Sequence, residues 1–69
     1  MTEDLTNEVK IQLLGNEIEQ HKQARYVLEV RHTVNKKLGN SEELKAIVKG
    51  LEITQMTINE LEKIKKELS

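Results

Sequence analysis

At 69 residues the chain holds one domain, below the roughly 70–80 residues at which a lone hydrophobic core usually suffices. Nine Leu, six Ile and five Val, with one Tyr and no Phe or Trp, make any core aliphatic, and the absence of Cys excludes disulfides, thiolate metal sites and thiol nucleophiles. Eleven basic against twelve acidic residues give a formal net charge of -1, which leaves no electrostatic excess for gripping a phosphate backbone or an anionic membrane.

In chain order, the first element is a helix over about 3–38, with Thr2 as its cap and Glu3, Asp4 and Glu8 near its N-terminus, where the macrodipole favours anions. It contains Gly15 but no proline, and the spacing predicts a continuous helix. The stretch Lys36-Lys37-Leu38-Gly39-Asn40-Ser41-Glu42-Glu43 then reads as cations in a last turn, a glycine beyond it, an Asn or Ser cap, and carboxylates in a new first turn. With a turn at 39–41, a second helix follows over about 42–68, and Lys63, Lys65 and Lys66 lie near its C-terminus. A connection this short folds the two helices back on each other, so the fold class is all-α, an antiparallel two-helix hairpin forming a single domain over 1–69. No apolar run approaches the length of a membrane span, and the acidic start Met1-Thr2-Glu3-Asp4 is unlike a leader, so a cytoplasmic protein is expected.

The second helix carries a coiled-coil seam: Leu44, Ile47, Leu51, Thr54, Ile58, Leu61, Lys65 and Leu68 follow 3–4 spacing. On the first helix, at about 100° per residue, Leu5, Val9, Leu13, Ala24, Val27, Val30, Val34 and Leu38 gather in one sector, interrupted by Gln20. This is the expected partner stripe. Ile11, Leu14 and Ile18 fall nearly opposite it, and Ile53, Met56 and Ile64 fall away from the seam of the second helix. These six are the expected partner-binding residues, since two such clusters are more than the scatter of apolar residues found on ordinary surfaces. A hairpin of this size gains little from its own seam, so completion by self-association or by another protein is expected.

Chemistry finds little footing. His21 and His32 share a face three helical turns apart, but Arg25 lies between them and opposes a metal, so no metal site is expected. Ser41 and Ser69 have no positioned base near them in sequence, and the glycines make no phosphate loop. The basic residues near the turn, Arg31, Lys36, Lys37, Lys45 and Lys49, are offset by Glu42 and Glu43 and have no aromatic interleaved for base stacking. The expectation is a non-enzymatic chain without cofactor or nucleic-acid partner.

A long polar helix, the turn Leu38-Gly39-Asn40-Ser41 and a closing helix with Leu44, Ile47, Leu51, Ile58 and Leu61 together resemble the YscE-like co-chaperones of type III secretion. The resemblance implies a cytoplasmic hairpin that joins a TPR-like co-chaperone and keeps a needle subunit from polymerising prematurely. The aromatic residues that some members carry in the second helix are absent here. Spo0E-like phosphatases of response regulators share the hairpin shape; the stretch corresponding to their motif, Val48-Lys49-Gly50-Leu51-Glu52, keeps the Leu, has Glu for Asp and lacks the Ser and Gln. A homo-oligomeric regulatory or phage adaptor is the further alternative.

Overall fold

The structure, a computed structural model, describes residues 4–69. It is an antiparallel hairpin of two helices, α1 over Asn7–Leu38 and α2 over Ser41–Leu68, measuring 52 × 21 × 14 Å.

Helix α1 starts later than its charge pattern suggests. Thr6 is extended, and its hydroxyl accepts from the backbone N–H of Val9 at 3.2 Å, so it takes one of the donors that a helix start leaves unpaired. The cap expected at Thr2 lies outside the described residues. Gly15 does not interrupt α1, because a single glycine costs only about 1 kcal/mol against Ala and packing on α2 continues past it.

The bend takes two residues. Gly39 adopts φ 73°, a left-handed conformation in which any Cβ would be strained. Its N–H donates to the Lys36 carbonyl at 3.3 Å and the Asn40 N–H donates to the Asn35 carbonyl at 3.0 Å, the paired bonds of a Schellman ending. Asn40 then caps α2 through its side-chain oxygen, which accepts from the Glu43 N–H at 3.4 Å. Ser41, expected in the turn, is already helical.

Opposed residues fix the register. Arg25 Nη1 donates to Gln55 Oε1 at 2.6 Å, Leu28 lies against Gly50, and Lys22 pairs with Glu62 at 4.0 Å. In this register Ile18 is level with Leu61, His21 with Ile58, Leu28 with Leu51 and His32 with Ile47. The α2 seam is the expected one: all eight of its positions are buried or half-buried, Ile47 and Ile58 fully, at 4% and 1% exposure.

The α1 seam differs from the expected stripe. Ile11, Leu14, Ile18, His21, Arg25, Leu28, His32 and Asn35 face α2, whereas Leu5, Val9, Leu13, Ala24, Val27, Val30, Val34 and Leu38 are exposed. Two physical features account for this. Ile11, Leu14, Ile18 and Leu28 are longer than the valines outside and interleave with the Leu and Ile of α2. The polar members hold apolar stems or rings against α2 while their heads find partners at the rim: Arg25 on Gln55, and Asn35 on the Arg31 carbonyl at 2.8 Å. A wheel that scores only hydrophobic identity discards these positions.

Candidate interaction surface

Reversing one helix reverses its sense of rotation. Residues that follow seam positions on both helices therefore share one broad face of the hairpin, and residues that precede them share the other. Lys22 and Glu62 both follow seam positions and meet at 4.0 Å, as this requires. Gln55 is on the same side and links Arg25 to Asn59, donating to Asn59 Oδ1 at 3.0 Å. That face is polar and cross-linked, with Lys22 and Glu62 both well exposed, so the ion pair is worth at most about 1 kcal/mol.

The opposite broad face is apolar over much of its length. From α1 it receives Leu13, Ala24, Val27, Val34 and Leu38, and from α2 Ala46, Ile53 and Ile64, interspersed with the charged Lys10, Glu17, Arg31, Glu43, Glu60 and Glu67; Val9, Val30 and Met56 lie further round, on the outer backs of the helices. Val27 is 47% exposed, Ile53 53% and Met56 65%. Val27 and Ile53 stand at the same level of the hairpin. Ile53, Met56, Thr57, Glu60 and Leu61 line a shallow, almost wholly apolar depression along α2.

The six residues expected to bind a partner divide in two. Ile53, Met56 and Ile64 are exposed, as the seam of α2 dictates. Ile11, Leu14 and Ile18 are not on the outer surface: they form the open-end half of the α1 seam, with Ile18 at 5% exposure and the other two half-buried. The valines that stand on the outside in their place are those expected in the core. The signal that could have found this is the 3–4 repeat Ile11, Leu14, Ile18, His21, Arg25, Leu28, which keeps the period of the α2 seam although His21 and Arg25 break its aliphatic run.

His21 and His32 both face the seam with Arg25 between them, and His21 Nε2 lies 3.6 Å from Glu17 Oε2. Among the described residues, no group of three or more His, Cys, Asp or Glu side chains is placed to hold a metal. Leu51, the residue retained from the phosphatase motif, is in the seam, and Glu52 is exposed. No helix among the described residues is long and apolar enough to cross a membrane. Compared with protein-family models, curated proteins and solved structures, the chain has no match.

Proposed function

We propose that the chain is a non-enzymatic helical protein-binding module that docks through the apolar broad face. The observation that supports this reading is the second apolar stripe of α1, Leu13, Val27, Val30, Val34 and Leu38, left in solvent after the seam with α2 is complete. A helix apolar on two sides belongs to the interior of something larger than a two-helix hairpin. Val27, Val30, Val34 and Leu38 recur at i, i+3, i+7 and i+11, the spacing of anchors that helix-in-groove recognition uses, and Ile53 and Ile64 extend the apolar surface onto α2. The resemblance to YscE-like co-chaperones gives the reading one specific form: a cytoplasmic co-chaperone that joins a TPR-like protein and holds a needle subunit soluble.

The test is affinity capture of the tagged chain from its native cell, with Ile53→Asp and Ile64→Asp variants in parallel. The co-purified polypeptide, whether a second copy, a TPR-like protein or a needle subunit, is lost from the variants while their helical circular dichroism is retained. An unchanged set of co-purified proteins overturns the reading.

A further inference from the structure

Resting on that reading, we infer that the apolar face is occupied by a second copy of the chain, giving a twofold antiparallel four-helix bundle. A twofold axis parallel to the helices stacks α1 of one hairpin on α2 of the other, antiparallel and at the levels already fixed within the hairpin. Val27 then lies level with Ile53 of the partner subunit, and Val34 with Ala46 of the partner subunit. Apolar meets apolar on each.

Charges complement one another in the same register. Glu17 and Glu43 lie on the face itself, since each precedes a seam position, and Lys37 and Lys63 lie on the outer backs. Glu17 stands level with Lys63 of the partner subunit and Lys37 with Glu43 of the partner subunit, all four exposed in the single hairpin. Each match occurs twice by symmetry. The outline of the whole hairpin, 52 by 21 Å or roughly 1,100 Å², leaves room for an interface of about 800 Å² per partner, the standard size. The opposite face offers no equivalent, since it carries the Lys22–Glu62 pair and the Arg25–Gln55–Asn59 chain.

Sedimentation equilibrium of the full chain at tens of micromolar tests the arrangement. The wild type sediments at twice its chain mass. Val27→Lys and Ile53→Glu each weaken the dimer by about a hundredfold or more, because each pushes an unpaired charge into an apolar contact, and both retain their helical circular dichroism. Mixing the two variants restores a two-chain species, since one of its two contacts becomes Lys against Glu and the other stays Val against Ile. A monomeric wild type overturns the inference, as does a dimer that both variants leave intact, or variants that fail to pair on mixing. If the wild type is monomeric yet captures another polypeptide in an Ile53-dependent manner, the second copy is ruled out and the interaction module stands. If no association of any kind depends on Ile53, both fall.

Discussion

Gly50 of α2 lies directly against Leu28 of α1: a Cβ built on the glycine would stand 3.4 Å from Leu28 Cδ1, at the inner limit of ordinary contact. One methyl group therefore fits, and a longer side chain does not. Gly50→Ala gains up to about 1 kcal/mol of helix propensity and is expected to raise the thermal midpoint. Gly50→Leu forces Leu28 out of its place beside Leu51 and lowers the midpoint, by about 1–3 kcal/mol in stability. Paired thermal melts of the two variants check the sign of each.

The seam and the outer stripe of α1 should respond unequally to truncation, the seam tested at Ile58 of α2. Ile58, at 1% exposure, loses packing on all sides when cut back, so Ile58→Ala is expected to cost about 2–4 kcal/mol in urea denaturation. Ile18→Asp places a carboxylate at a 5% exposed site and should leave the chain largely unfolded. Val30→Ala, on the solvent side, should change the stability of the dissociated hairpin by less than about 0.5 kcal/mol. If Val30→Ala proved the costlier of the two alanine variants under dissociating conditions, the seam assignment would be wrong.

The bend makes its own prediction. Gly39→Ala introduces a Cβ at φ 73° and is expected to cost about 1–2 kcal/mol, while Gly39→Asn costs less because Asn tolerates the left-handed region. Asn40→Ala removes both the cap on the Glu43 N–H and the link from its Nδ2 to Asn35 Oδ1 at 3.4 Å, for about 1 kcal/mol. Denaturant midpoints rank the three as Asn milder than Ala at position 39, with the cap loss comparable to the latter.

Arg25 offers a test of how a polar residue serves the seam. Arg25→Ala loses both the 2.6 Å bond to Gln55 and the stem that covers α2, and should cost about 1–2 kcal/mol. Arg25→Met keeps the apolar stem and frees a half-exposed Gln55 to water, so it should fall within about 0.5 kcal/mol of the wild type. Equal losses in the two variants would assign the effect to the hydrogen bond alone.

The two helices, the bend at Gly39 and every seam position of α2 were legible in the sequence because each rests on local chemistry: a glycine with φ above zero, an Asn cap, and a 3–4 repeat that is aliphatic at all but Thr54 and Lys65. The seam of α1 was not, because beyond Ile18 it is built, Leu28 apart, of His21, Arg25, His32 and Asn35, whose apolar parts count only once α2 is beside them. The valine stripe, more hydrophobic by identity, points to the opposite face of α1 and so to Ile11, Leu14 and Ile18 outside, whereas the repeat of α2 itself puts Ile53, Met56 and Ile64 in solvent. The start of α1 was displaced for a different reason: Glu3 and Asp4 favour a helix start electrostatically, but the hydroxyl of Thr6 reaches the Val9 amide and sets the boundary.

The brevity of the connection at Gly39 and Asn40 also decides where dyes can be attached. Asn7 and Leu68 come out at one pole, so dyes attached at these two positions lie away from the bend and stay close only while the rods remain zipped. Energy transfer between them would report separation of α1 from α2 directly, with nothing added to the broad faces.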